Sequence, residues 1–257
     1  MPSQSNTTLN RYGSIAAEVY DIDKPFGALP DTAFHLPRLA GIIGPILEPA
    51  CGSGRTLIPL IEAGHDASGF DASAEMLDNC RARCAERGHS PHLSRQRFED
   101  FHYDHAFSAI TIPVGSFGLI DDFAVALAVL RRFRDHLVAG GLLVLDVEPI
   151  SALSGGGQSL RSWTGANGDL LTVGTERLKT DWIGQRVEYH ARYERWRDNA
   201  LVETQLEPMA LRYWSVEELT FALRASGFGE IAVIGGYDRR RGPRGGDRVL
   251  TFEAVGL

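Results

Sequence analysis

The chain has 257 residues, of which 44% are hydrophobic and 23% charged, and a formal net charge of -7. That length suits one α/β domain or a domain carrying an inserted cap, and the composition excludes a disordered chain. The acidic balance argues against a nucleic-acid partner, which needs an extended basic surface, and no run of about 18 apolar residues offers a membrane span.

The N-terminal stretch MPSQSNTTLNRYGS has neither the charged start nor the apolar middle of a secretory signal, so a cytoplasmic location is expected. Cys51, Cys80 and Cys84 form no even framework and no paired C-x-x-C elements, and free thiols in a reducing compartment are expected.

From Ile46 onward the periodicity alternates strand and helix, the pattern of a parallel sheet covered on both faces. Pro45 to Ala50 reads as the first strand, followed by the glycine turn CGSG and a helix over Arg55 to Ala63 that Gly64 stops. Ala67 to Phe70 is a short second strand. Ser73 stands at an N-cap position before a helix over Glu75 to Arg87, whose Met76, Leu77, Cys80 and Cys84 recur at helical spacing. His92 to Phe98 and Phe107 to Pro113 are the third and fourth strands. Phe123, Leu127, Leu130 and Phe133 form the expected buried stripe of a helix over Asp122 to Leu137, and GGLLVLDVE is a fifth strand buried on both faces.

The alternation breaks at Pro149. Ser151 to Asn167 is rich in Gly and Ser, and three β-like runs follow over Asp169 to Thr180, Gln185 to Arg197 and Leu201 to Tyr213. In the second run Val187, Tyr189, Ala191 and Tyr193 fall on one side and Glu188, His190, Arg192 and Glu194 on the other. DWIGQ and RDNA are hairpin turns between the runs, which makes an antiparallel insertion. Ser215 with Glu218 starts a last helix that ends at Gly227, and Ile231 to Tyr237 and Arg248 to Ala254 close the sheet. The division expected is therefore 1–150 as core with an N-terminal helix, 151–213 as the β insertion, and 214–257 completing the core.

The glycine turn lacks the lysine of a phosphate-binding P-loop, and Leu57 stands where a dinucleotide fingerprint wants a small residue. Two acids narrow the ligand. Glu48 lies on the first strand and Asp71 ends the second, so both face the carboxyl edge of the sheet, where ligands bind. A carboxylate at the second strand end accepts ribose hydroxyls, and one on the first strand takes an ammonium, which suggests a nucleoside with a cationic amino-acid tail. The other readings are an N-cap for Asp71 and a buried pair with Arg55 for Glu48.

ILEPACGSG, GFDAS, MLDNCRAR, FSAITIPVGSFGLI and LRRFRDHLVAGGLLVLDVEP resemble motifs of the class I S-adenosylmethionine-dependent methyltransferases. The resemblance covers residues 10 to 150 and implies a Rossmann-like, doubly wound seven-stranded sheet of order 3-2-1-4-5-7-6, with strand seven antiparallel. It implies S-adenosylmethionine as the donor and S-adenosylhomocysteine as the product. Glu48 corresponds to the acid of the first motif, with Ala50, Cys51, Gly52, Gly54 and Arg55 in the turn, and Asp71 to the ribose acid. Ala72 and Met76 fall against the adenine. Arg97 stands where the family often has an acid, so Phe98 or Glu99 is the substitute contact. Pro113 to Ser116 lie beneath the sulfonium, and Tyr12 and Tyr20 close a lid over the donor.

Tyr20, Tyr189 and His190 are the candidate catalytic residues, and Tyr193 and Trp163 line the acceptor pocket, because an insertion after strand five overhangs the carboxyl edge. The aromatic content favours a small-molecule acceptor; the alternative use of these residues is core packing or a homodimer contact through the insertion. Cys80 and Cys84 are read as core and His102 with His105 as loop residues, with no metal site, while Arg239 to Arg244 read as a solvated hairpin tip. Two other functions share the sheet. A nicotinamide-dependent oxidoreductase needs a Tyr-Lys or similar pair, for which Lys24 and Lys179 are poorly placed, and a non-catalytic member of the fold binds the nucleoside alone.

Overall fold

The computed structural model describes residues 9–27, 30–154 and 157–257. The first eight residues, which carry part of the N-terminal reading, and residues 155 and 156 of the Gly- and Ser-rich segment lie outside them. Two helices, α1 (Ser14–Asp23) and α2 (Pro30–Leu39), precede the sheet. The core then runs β1 (Ile46–Pro49), α3 (Leu57–Glu62), β2 (Ala67–Asp71), α4 (Ala74–Glu86), β3 (Leu93–Arg95), β4 (Phe107–Ile112), α5 (Phe123–Asp135) and β5 (Leu137–Val147). Four strands follow, β6 (Gln158–Thr164), β7 (Leu170–Asp181), β8 (Arg186–Arg197) and β9 (Ala200–Arg212). The chain ends with α6 (Val216–Ala225), β10 (Phe228–Gly235) and β11 (Leu250–Gly256).

The main sheet has the order β10-β11-β5-β4-β1-β2-β3, with β11 antiparallel to both neighbours, as the resemblance implies. Strand alternation divides the core in two. Ile46, Ala109, Leu142 and Val144 point to the face covered by Leu57, Leu60, Leu77, Cys80 and Cys84. Leu47, Ile110, Leu143 and Leu145 point to the other face, under Leu130 and Phe133 of α5 and Leu219 and Leu223 of α6. Side-chain caps start the helices: Ser73, Asp122 and Ser215 accept the backbone N–H of Met76, Val125 and Glu218. No helix among the described residues is long and apolar enough to cross a membrane.

Three expectations need correction. The insertion has four strands and not three, because β6 occupies part of the Gly- and Ser-rich segment; it is an edge strand with nearly every residue exposed, so it carries no apolar alternation to detect. Phe123 is 41% exposed and does not join the buried stripe, which is Ala126, Val129, Leu130 and Phe133; its ring lies 6.0 Å from Trp214 and under the Arg212 guanidinium instead. Leu137 starts β5 and does not end the helix. The β8–β9 turn is as read, with Asp198 and Asn199 both at positive φ, the geometry that suits a twisted hairpin.

The antiparallel sheet β6-β7-β8-β9 is stitched to the core where the chain leaves and re-enters it. Pro149 and Trp214 form a bridge, with Trp214 N donating to Glu148 O at 3.2 Å and Ile150 N donating to Trp214 O at 3.0 Å. One face of this sheet buries Leu171, Val173, Ala191 and Met209 against Ile15 and Val19 of α1. Helix α1 is thus sandwiched between the two sheets' territories, and that positions the site.

Candidate active site

Four parallel strands end at one edge of the main sheet in the order β5, β4, β1, β2. Their C-terminal residues are Glu148 just past β5, Pro113 to Ser116 past β4, Glu48 near the end of β1, and Asp71 at the end of β2. Opposite registers Glu48↔Gly69 and Pro49↔Phe70 set the two sequence-predicted acids on adjacent strands.

The turn after β1 holds three left-handed residues, Ala50 at φ 52°, Gly52 at 54° and Gly54 at 85°. A Cβ on Gly54 would stand 2.7 Å from Cys80 Sγ, so α4 can pack this close only against glycine. Nothing lies within 4 Å of the Cβ position of Gly52, whose backbone therefore borders open space. Asp71 grips this turn: Oδ2 accepts Gly52 N at 2.9 Å and Oδ1 accepts Ser73 N at 2.8 Å. Burial raises its pKa, and the backbone N–H groups act against that rise.

Glu48 is 3% exposed, and its Oε2 has no hydrogen-bond partner. Burial pushes its carboxyl well above the ordinary value, with Cys80 adding to the rise. The pairing of Glu48 with Arg55 is not what the chain forms. Arg55 reaches Asp31 of α2, Nη2 to Oδ2 at 2.6 Å and Nη1 to Oδ1 at 2.8 Å, and also bonds the Tyr20 phenol. Burial alone would lower the Arg55 pKa, but these partners raise it.

Above the edge sits a roof of phenols. Tyr12 and Tyr20 meet edge to face with centroids 6.1 Å apart, and the Lys24 ammonium lies 5.2 Å from the Tyr20 ring centroid. Tyr12 precedes α1 at φ 49°, and its carbonyl accepts Ser73 Oγ at 2.9 Å, which ties the lid to the start of α4. Burial raises the Tyr12 pKa strongly, followed by the neighbouring Tyr189 and Tyr193; Tyr12, Tyr189 and Tyr193 pack on one apolar cluster with Tyr20 at its side. Trp163 packs on the same apolar cluster, stacked at 5.0 Å under Arg161.

The remaining predicted residues divide. Met76 is buried beneath the start of α4, and Ala72 is exposed beside it. Phe98 turns inward, edge to face with Phe70 at 6.0 Å and Phe133 at 6.1 Å, whereas Glu99 is exposed and 3.4 Å from Arg97. Ser116 Oγ donates to Pro113 O at 3.3 Å. Between them Val114 and Gly115 are both left-handed, and Val114 N donates to Asp146 Oδ2 at 2.9 Å. His190 is not brought to this space: strand alternation places it on the other face of the antiparallel sheet, in a shallow depression with Ser159, Thr175, Glu176 and Arg192.

Cys51, Cys80 and Cys84 are free and buried. His102 pairs with Asp104 at 3.1 Å on the surface, and no group of three metal-ligating side chains occurs among the described residues. The arginine run is held within its hairpin by Asp238 and Asp247, whose pKa values the Arg240 and Arg241 side chains draw down to about 2.

Sequence reading missed α2 with Asp31, and it missed Glu148, Lys24 and Tyr213 as members of the site. Burial raises the Glu148 pKa, Lys24 opposes the rise, and Tyr213 is its hydrogen-bond partner. The signal available was an acid directly after the buried run LLVLDV, the place where β1 and β2 also put theirs.

A methyltransferase-domain family model matches residues 46–141. The chain is 28% identical over 186 residues to the cypemycin N-terminal methyltransferase of a Streptomyces species, covering 68% of this chain and 71% of that protein. It is 30% identical over 112 residues to dTDP-3-amino-3,6-dideoxy-alpha-D-glucopyranose N,N-dimethyltransferase of Streptomyces fradiae, covering 44% of this chain and 41% of that one. In fold it resembles an S-adenosylmethionine-dependent methyltransferase from Clostridium acetobutylicum, with a TM-score of 0.79 and 18% identity over 93% of this chain and 97% of that chain. It also resembles the sugar N-methyltransferase KedS8 from Streptoalloteichus, with a TM-score of 0.74 and 21% identity over 93% and 90% of the two chains. None of these favours the nicotinamide alternative. Residues 46–141 thus match a methyltransferase domain, the chain is similar over two thirds of its length to a methyltransferase, and its strand order and architecture are the fold of the class I S-adenosylmethionine-dependent methyltransferases.

Proposed function

We propose that this enzyme moves the methyl group of S-adenosylmethionine to the nitrogen of a small-molecule amine. The observation that carries the donor half is Glu48 Oε2, a buried carboxylate oxygen with no partner. Leaving such an atom unpaired costs about 1–3 kcal/mol or more, and the ammonium of the donor's amino-acid tail answers that cost. The open backbone at Gly52 fits the same tail, and Asp71 fits the ribose. On this reading Ala50, Cys51, Gly54 and Arg55 shape the turn, Ala72, Met76, Phe98 and Glu99 serve the adenine side, and Pro113 and Ser116 border the sulfonium. Tyr12 and Tyr20 close the roof.

When bound, the donor supplies an activated methyl and a neutral thioether leaving group, so the protein's task is mainly positional. Holding reactants in line contributes up to roughly 7–11 kcal/mol. Residues 151–213 act as the cap that presents the acceptor, with Tyr189, Tyr193 and Trp163 as its apolar walls. Nitrogen is the favoured acceptor atom because relatives named for N-methylation of amino sugars and of a peptide N-terminus match this chain.

Calorimetry with S-adenosylmethionine, S-adenosylhomocysteine and NAD tests the donor, with binding of the first two expected. Binding of NAD alone would overturn the reading. Transfer of a labelled methyl group to amines, measured against matched alcohols, then tests the acceptor atom.

A further inference from the structure

The sheet edge carries acids on both sides of the β4 turn. Asp71 and Glu48 stand at the ends of β2 and β1, in the half assigned above to the donor. Glu148 stands in the other half, just past β5, and no step of the positional mechanism uses it. Its Cγ lies 3.6 Å from where a Cβ on Gly115 would be, so the side chain borders the β4 turn. Its backbone is fixed by Trp214 N, which donates to Glu148 O at 3.2 Å at the seam with the cap. Titratable groups face it from three elements: Lys24 just past α1, Tyr189 from β8, and Tyr213 just past β9, which in turn faces Arg177 of β7. Tyr213 and Glu148 both neighbour Tyr189, which in turn lies beside Tyr12 and Tyr193.

We propose that Glu148 is the group that receives the proton of the acceptor amine. The proposal rests on the reading of the site as an amine N-methyltransferase. Near neutral pH most amines arrive as ammonium ions, whose nitrogen has no lone pair to offer. A carboxylate at the cleft wall attracts that cation and takes one proton from it. The freed lone pair then forms the nitrogen–carbon bond as the carbon–sulfur bond breaks, its electron pair staying on sulfur. Burial strengthens Glu148 as a base, because a carboxylate held away from water binds a proton more tightly. Lys24 opposes that rise and favours the ionised carboxylate that the amine meets, and the Tyr213 hydroxyl holds its orientation.

The test uses the full chain and its isosteric variant Glu148→Gln, with dTDP-3-amino-3,6-dideoxyglucose and a short peptide with a free N-terminus as acceptors. In the variant, the methyl-transfer rate falls by about 10²–10⁴ and the acid limb of the kcat/KM profile moves up to the amine's own pKa. Affinity for S-adenosylhomocysteine stays within about twofold, because no donor contact is removed. Acceptor binding to the S-adenosylhomocysteine complex is measured by calorimetry in two buffers of different ionisation enthalpy. Wild type releases few protons, since Glu148 keeps the one it takes, and the variant releases about one more per amine bound. An unchanged rate with an unchanged proton count overturns the proposal, as does a lost affinity for S-adenosylhomocysteine, which would make Glu148 part of the donor site. Wild type that binds the donor and methylates neither amine overturns the amine reading itself, and this proposal with it.

Discussion

His35 Nε2 lies 3.0 Å from Asp146 Oδ2, and neither side chain is exposed to solvent. The same carboxylate accepts Thr251 Oγ1 at 2.6 Å, the Tyr237 hydroxyl at 2.7 Å and Val114 N at 2.9 Å, while His35 Nδ1 meets Thr111 Oγ1 at 2.8 Å. One buried acid therefore joins α2, β11, the β10–β11 hairpin and the β4 turn that borders the site.

This junction makes stability depend on acid. Burial alone would raise the Asp146 pKa, but His35 and the hydroxyls of Thr251 and Tyr237 hold it below the ordinary value. A carboxyl depressed in the folded state binds fewer protons there than in the unfolded chain, so its contribution is full above the unfolded value and is lost as pH falls through the folded one. Urea denaturation of wild type should show stability falling from about pH 5 downward, and Asp146→Ala should cost about 3–5 kcal/mol near neutrality with a flatter acid limb.

Removing Asp71 should cut donor affinity. A charge-assisted contact of the kind proposed for the ribose is worth roughly 1.5–3 kcal/mol, which predicts a loss of more than about tenfold for Asp71→Ala. The folded circular dichroism spectrum should be kept. Calorimetry that finds wild-type affinity in the folded variant removes Asp71 from the donor site.

Gly54→Ala should be costly for two separable reasons. Left-handed φ costs an alanine roughly 1–2 kcal/mol, and the new methyl also meets Cys80 Sγ. Combining it with Cys80→Ala relieves only the second. A double-mutant cycle by thermal denaturation should thus give a coupling of about 0.5–3 kcal/mol, and strict additivity would mean that the thiol contact plays no part.

Helix α1, proposed above as the lid, is latched at Asp21, which accepts Ser53 Oγ at 2.5 Å from the turn and Asn79 Nδ2 at 3.0 Å from α4, and pairs with Arg83 at 3.0 Å. Asp21→Ala should loosen residues 14–23, seen as faster amide exchange, and should speed donor release in stopped-flow measurements. Release and exchange rates equal to wild type would show that the latch does not hold the lid.

The sheet was legible because its strands are apolar runs between glycine and capping signals, whereas their order was implied by the resemblance to the class I methyltransferases. Glu48 and Asp71 were legible for the same reason, since acids at the ends of such runs stand out. The edge strand β6 was not, because an exposed strand needs no apolar period. Nor was Asp31, whose partner Arg55 lies 24 residues along the chain and is chosen by packing that no local spacing encodes. His190 shows the reverse: a period of two puts Tyr189 and His190 on opposite faces, so the alternation already separated residues that were grouped by chemistry.

Helix α1 is held from both sides. Asp21 joins it to the glycine turn, while Glu18 meets Arg195 at 2.6 Å, Asp23 meets Arg161 at 2.9 Å, and Gly13 N donates to Glu207 Oε1 at 2.8 Å, all on the antiparallel sheet. Helix and antiparallel sheet are therefore mechanically in series: on the proposed assignment of α1 as lid and residues 151–213 as cap, opening the donor side would either break these three ties or swing the cap with the helix, so that turnover would be timed by the departure of both molecules together.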